Sequence, residues 1–520
     1  MMTFSKTKLF TALCAVVFAA SAISTADAAL SRKPQDNFFL ATATDPLGLD
    51  PALVDDAESG NVVCNVYESL LKFKPDSTEV EPSLAESYTV SEDGLVYTFK
   101  LRQGVKFHDG TPFNAEAVKF NIDRQMPEVA TPKMSYASLV YGDVDHTDVI
   151  DEYTVQITLK KPSTPFLHNL AMVYAAPIVS PAALKANNNN VNMAPCGTGP
   201  YKFVAWDKGQ QVIVTRNEEY WGEPGKTANL IFRVMPEASA RVVALNNGEV
   251  DAITGVDVNT VKEISDGGSK LFTAEGMNVS YMFFNCRDTG TTIKLDKDVR
   301  RAIAMAVNKD ELVETLYKGY ATPATTILPS FVPGYSANVK PVAYNPEEAK
   351  KIFESKGIDS LTIMTYSGAR AYNTVGGQVL AEAVQAYLDK VGVKADVLVY
   401  DWATFKAKLL TDTWDVGFIG WTGDNGDPDN FLNLFASDDP IANQGLWVNQ
   451  EYRDLISKAA ATPEGPERAA LYEQAEQLLA DEAGVIPLSH AKAMGGYRPN
   501  VEGFTIHSVG NTFLMNVVKH

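Results

Sequence analysis

The sequence predicts an α/β protein with at least two lobes and mixed sheets, on three observations. At 520 residues the chain exceeds the usual size of one hydrophobic core. From about residue 280 onward, apolar strands alternate with amphipathic helices, the β-α-β rhythm of a parallel sheet. Before that point, alternating strands punctuated by turn residues dominate, with few helices. The change of texture places a lobe boundary there, with lobe I over 29–279 and lobe II over 280–489.

The N-terminus reads as a secretory signal peptide over 1–28. Lys6 and Lys8 precede an apolar run at 9–22, and Ala26-Asp27-Ala28 supplies the cleavage pattern. Cys14 follows the bulky Leu13 in the middle of the apolar run, which argues against a lipoprotein. No later stretch holds the roughly 18 uncharged apolar residues a membrane span needs. The expected location is the periplasm, with no membrane insertion. Net charge is −19, from 45 basic and 64 acidic residues, which disfavours nucleic acid as a partner.

Taken in order, a loop at Ala57-Glu58-Ser59-Gly60 precedes a helix over 61–71, marked by Val63, Val66, Tyr67 and Leu70. Ser91-Glu92-Asp93-Gly94 turns a hairpin, and 104–110 reads as a strand and turn. Asn114 caps a helix running to Arg124. A helix over 238–247 stops at Gly248 and feeds a strand at 250–253. A strand over 279–285 leads to a helix at 299–308, and Asn345 with Pro346 opens another through Phe353. Then come a strand at 361–364, a helix at 377–391, a strand at 394–400 and a strand at 416–419. A helix at 466–479 and a strand at 485–488 close the series.

Catalytic motifs are missing: there is no G-x-S-x-G elbow and no H-E-x-x-H. The six histidines are scattered, so no metal site and no cofactor is expected. Cys64, Cys196 and Cys286 are buried thiols, or two of them form one disulfide.

After the 416–419 strand comes Gly420-Trp421-Thr422-Gly423-Asp424-Asn425-Gly426-Asp427-Pro428-Asp429-Asn430-Phe431. Acids on a glycine-rich turn at a strand's C-terminal end suit ligand binding in an open α/β sheet, although the composition also suits a plain turn. This run resembles the signature loop of dipeptide-binding proteins, the periplasmic receptors of ABC peptide importers in the peptide/nickel solute-binding class. Leu84-Ala85-Glu86, Ser91-Glu92-Asp93-Gly94, Tyr97-Thr98-Phe99, Phe107-His108-Asp109-Gly110 and Gly197-Thr198-Gly199-Pro200-Tyr201 resemble that class's scaffold motifs.

The resemblance implies the two-lobed periplasmic binding protein fold, with 490–520 returning to lobe I and a short peptide held in the cleft between lobes. The protein is then no enzyme. It works as a monomer that hands a peptide, a dipeptide first of all, to an inner-membrane ABC permease. Longer peptides, glutathione, haem or a nickel chelate remain rivals within the class, and a secreted peptide hydrolase outside it. A free peptide is a zwitterion, which an aspartate and an arginine can grip at its two ends. By resemblance Asp424 is the ammonium anchor, with Thr422 and Gly423 beside it. Arg370, in Arg370-Ala371-Tyr372-Asn373, is the carboxylate clamp, although Ala371 and Thr374 stand where the receptors carry prolines. Trp421, Tyr372 and Trp402 are candidate pocket walls. Glu58, Ser59 and Gly60 are candidate contacts from lobe I.

Overall fold

The computed structural model describes residues 33–440 and 442–520, so the signal peptide lies outside the described residues. One long sheet organises the chain. Its strand order, from one edge, is Lys394–Tyr400, Ser360–Tyr366, Val416–Thr422, Asn278–Phe284, Val485–Tyr497, Ala252–Thr254, Asn37–Thr42, Asn229–Val234, Gln211–Arg216 and Tyr201–Asp207. Asn278–Phe284 and Val485–Tyr497 sit at the middle of this path, and the long second strand carries neighbours from both halves. Near its start it pairs with Asn278–Phe284, and near its end with Ala252–Thr254 and Lys270–Glu275.

The half formed by the later part of the chain is parallel where β-α-β alternation predicted it. Ser360–Tyr366 runs parallel to Lys394–Tyr400 along its whole length and to Val416–Thr422 at Ile363 and Met364. The helices Lys297–Ala306, Pro346–Lys356 and Gly377–Lys390 bury Ile303, Phe353, Leu380 and Val384 in the core beside these strands. Their starts follow their caps: Asp296 accepts from Val299 N, and Asn345 from Glu348 N. Asp415 fixes the entry to Val416–Thr422. Its buried carboxylate accepts the backbone N–H groups of Thr292 and Thr362, each at 2.7 Å, and of Ile293 at 3.2 Å. A buried carboxylate with this many donors holds one position, because losing any of them leaves charge unsatisfied.

The half formed by the earlier part of the chain adds a four-stranded antiparallel sheet, in the order Ala85–Val90, Val96–Leu101, Thr154–Leu159 and Val144–Asp151. The chain's last segment packs here. Thr512 N donates to Asn61 Oδ1 at 2.9 Å, Asn65 Nδ2 to Thr512 O at 2.9 Å, and Leu514 N to Asn65 Oδ1 at 2.8 Å.

Three expectations change. The first helix is Ala57–Val66, not 61–71, because Asp56 caps it by accepting from Ser59 N; Leu71–Phe73 is instead a strand. The segment 104–110 forms the expected turn, Gly110 N donating to Phe107 O, but in place of a strand makes an isolated bridge, Lys106 with Pro112, where the proline has no N–H to extend a ladder. The strand expected at 485–488 runs to Tyr497. Cys64, Cys196 and Cys286 are all free thiols.

Candidate functional site

Three neighbouring strands, mutually parallel, end at the same edge of the sheet, and most of the expected site residues follow those ends. Trp402 comes just after Lys394–Tyr400, Arg370 and Tyr372 after Ser360–Tyr366, and Trp421 to Asp424 at the end of Val416–Thr422. Residues far apart in the chain meet there because parallel strands deliver all their exits to one side.

The Arg370 guanidinium lies over the Trp402 ring at 3.8 Å from its centroid. Trp402 in turn stands edge-on to Tyr366 at 5.3 Å. The stack holds the guanidinium against the ring. No carboxylate pairs with Arg370 among the described residues. Tyr372 is buried against the end of Val416–Thr422, where a Cβ at Gly420 would fall 2.2 Å from its ring. That contact ties the Arg370 loop to the Trp421 loop.

Asp424 is half-buried, and its Oδ2 accepts the Tyr136 hydroxyl at 2.9 Å and the Asn430 amide at 3.5 Å. Asn430 also orients the loop: its Oδ1 accepts Asp424 N at 3.0 Å and Trp421 Nε1 at 2.9 Å. Burial raises the Asp424 carboxyl to about 7, the Tyr136 and Asn430 bonds oppose the shift, and Asp55 adds to it. Gly423 has a packing requirement, since a Cβ would meet the Phe431 ring at 2.5 Å, and its N–H donates to Met277 O. Thr422 is half-buried at the strand end, paired with Asn278.

From the earlier half of the chain, Glu58, Ser59 and Gly60 occupy the first turn of the Ala57–Val66 helix rather than a loop. Glu58 is half-buried; burial and Asp56 raise its pKa, while Arg370 and Arg241 lower it. Glu58 and Arg370 therefore attract each other electrostatically without forming an ion pair. The Ser59 hydroxyl is already engaged, accepting Leu47 N at 3.1 Å and Gly48 N at 3.3 Å. At Gly60 a Cβ would meet Asn511 Nδ2 at 2.5 Å and the Tyr174 hydroxyl at 2.8 Å, so close packing accounts for that glycine.

Sequence reasoning missed Tyr136, Tyr174 and Asn169. The Tyr136 and Tyr174 rings are 4.9 Å apart, and Asn425 Nδ2 donates to Asn169 Oδ1 at 2.6 Å, closing the Asp424 loop onto the earlier half. None belongs to a motif. Only Asn430, inside the glycine-rich run, could have been read from its neighbours.

The model for the bacterial extracellular solute-binding proteins, family 5, middle region, matches residues 79–443. The dipeptide-binding protein of Escherichia coli K12 is 32% identical over 480 residues, covering 87% of this chain and 88% of its own. Heme-binding protein A of Haemophilus influenzae is also 32% identical, over 513 residues, with 92% of each chain covered. Among solved structures, the ABC transporter-associated periplasmic binding protein DppA of Helicobacter pylori, in complex with peptide STSA, superposes with a TM-score of 0.82. It is 30% identical, with 93% of this chain and 98% of that one covered. The architecture is thus that of a two-lobed periplasmic binding protein, and the protein is periplasmic. The chain belongs to the bacterial extracellular solute-binding proteins of family 5.

Proposed function

We propose that this protein captures short peptides, dipeptides first of all, between two lobes and delivers them to an ABC permease without altering them. The lobes are 29–279 together with 490–520, and 280–489, and the working unit is a monomer. The observation that carries the reading is the placement of an unpaired guanidinium, Arg370, and a half-buried carboxylate, Asp424, at one edge of a sheet. Both follow parallel strands; Glu58 interacts electrostatically with Arg370, and Tyr136 donates to Asp424 at 2.9 Å, both partners coming from the earlier half of the chain.

Asp424 takes the guest's ammonium through a charge-assisted hydrogen bond, and Arg370 takes the carboxylate. Trp421, Tyr372 and Trp402 bound the space between, and Thr422, Gly423 and Glu58 line its ends. Ser59 and Gly60 act by shaping the helix start, since their own groups are committed to packing. Calorimetry with a free dipeptide and its N-acetylated form tests this. The free peptide binds, and acetylation weakens it by about 2–4 kcal/mol. Equal affinity for both would reject the grip on the ammonium.

A second reading has one specific support: the haem-binding relative is as similar as the dipeptide-binding one. A spectrophotometric haem titration separates the two readings, because peptide competition for one cleft leaves only the tighter guest bound.

A further inference from the structure

We propose that His168, Asp427 and Glu464 form a site for one divalent transition-metal ion, of the zinc, cobalt or nickel class, that staples the two lobes together. One ligand atom from each residue lies within 4.8 Å of the others. His168 belongs to the earlier half of the chain, in the short helix Phe166–Asn169. Asp427 and Glu464 belong to the later half, 259 and 296 residues further on (427 − 168 and 464 − 168). No sequence spacing announces such a set.

Two buried, unpartnered atoms point to an ion independently of that proximity. Asp427 is only 1% exposed; its Oδ1 accepts Arg468 Nη2 and Asp429 N, each at 2.8 Å, while its Oδ2 has no hydrogen-bond partner. His168 Nδ1 is likewise buried without a partner. A carboxylate oxygen and an imidazole nitrogen left this way are costly, and a shared cation satisfies both. The donor set of one imidazole and two carboxylates selects a borderline transition ion over calcium or magnesium, which take oxygen ligands alone. Bonds of about 2.0–2.2 Å let one ion span donors up to about 4.3 Å apart, so the set contracts by tenths of an ångström on binding.

The surrounding charge tolerates the ion. Arg468 occupies Asp427 Oδ1 and approaches Glu464 Oε1 at 3.4 Å, which leaves one oxygen of each carboxylate open. Asp427 and Glu464 together outweigh that single guanidinium, and nearby Lys161 is paired with Asp143 at 3.3 Å. Arg468 thereby orients the ligands as an outer partner. The seam itself is built here: Thr164 N donates to Ala460 O at 2.8 Å and its hydroxyl to Thr462 O at 2.7 Å, next to the Asn425–Asn169 bond.

Because ligands come from both sides of the seam, the ion binds the closed form preferentially and, by linkage, tightens peptide binding by the same factor. That part rests on the lobe-closure reading above. The test is Co²⁺ absorption and Zn²⁺ calorimetry on the mature protein and on His168→Gln and Glu464→Gln, each with and without a dipeptide. Asp427→Ala is avoided because its loss would strand Arg468. The expected result is one ion per wild-type chain, at least tenfold weaker binding in both variants, and tighter ion binding when peptide is present. Wild-type-like ion binding in both variants, or none in the wild type, overturns the site. Equal ion affinity with and without peptide overturns the staple. Peptide affinity measured in chelator, unchanged in His168→Gln, reports on peptide capture separately from either result.

Discussion

Asp424 carries a single proton whose position matters near neutral pH. Its carboxyl titrates at about 7 in the folded, unliganded protein, against an ordinary value of 3.8. The folded state therefore binds the extra proton between those values. The group's stabilising contribution is complete below 3.8 and is lost as pH rises through 7. A guest ammonium reverses the preference, since it favours the carboxylate. Peptide binding below pH 7 should thus release up to one proton, and affinity should climb from pH 5 to 7 and then level off. Calorimetry in buffers of different ionisation enthalpy checks both. Tyr136→Phe removes a hydrogen bond that favours the ionised form, so the levelling point should move to higher pH. Asp424→Asn should cost about 2–4 kcal/mol of peptide binding and abolish the proton release. Arg370→Lys keeps the charge but loses the planar fork stacked on Trp402, and peptide titration should show weaker binding by about 1–3 kcal/mol.

At the scale of elements, legibility followed local signals. The strand Lys394–Tyr400 and the helix Ala238–Asn247, ended by Gly248 in a left-handed conformation at φ 80°, were readable because period and cap agree. The Ala57–Val66 helix was misplaced because its first turn, Ala57-Glu58-Ser59-Gly60, lacks apolar periodicity, while the true signal was the capping Asp56. Asp56→Ala should lower stability by about 1 kcal/mol in a urea titration. Within the glycine-rich run the sequence displayed the acids, but not their division of labour. Asp424 accepts from Tyr136 and Asn430, whereas Asp427 is held by Arg468 at 2.8 Å, a partner 41 residues away. Tyr136 lies 288 residues from Asp424, a separation that no periodicity encodes.

For the whole molecule, polar contacts join the earlier and later halves of the chain at Tyr136 with Asp424, Asn169 with Asn425, and Thr164 with Ala460 and Thr462. Hydrogen bonds of this kind contribute about 0.5–1.5 kcal/mol each, so under the proposed closure a guest touching both sides can decide the equilibrium. Small-angle scattering should accordingly show a smaller radius of gyration with peptide than without it. The central claim is that Asp424 and Arg370 hold the two ends of one guest, and a crystal structure with a bound dipeptide tests it most directly. The account predicts the guest's ammonium within hydrogen-bonding distance of the Asp424 carboxylate and its carboxylate against the Arg370 guanidinium. A guest whose amine lies away from Asp424, with Tyr136 still its sole partner from the opposite lobe, would contradict it.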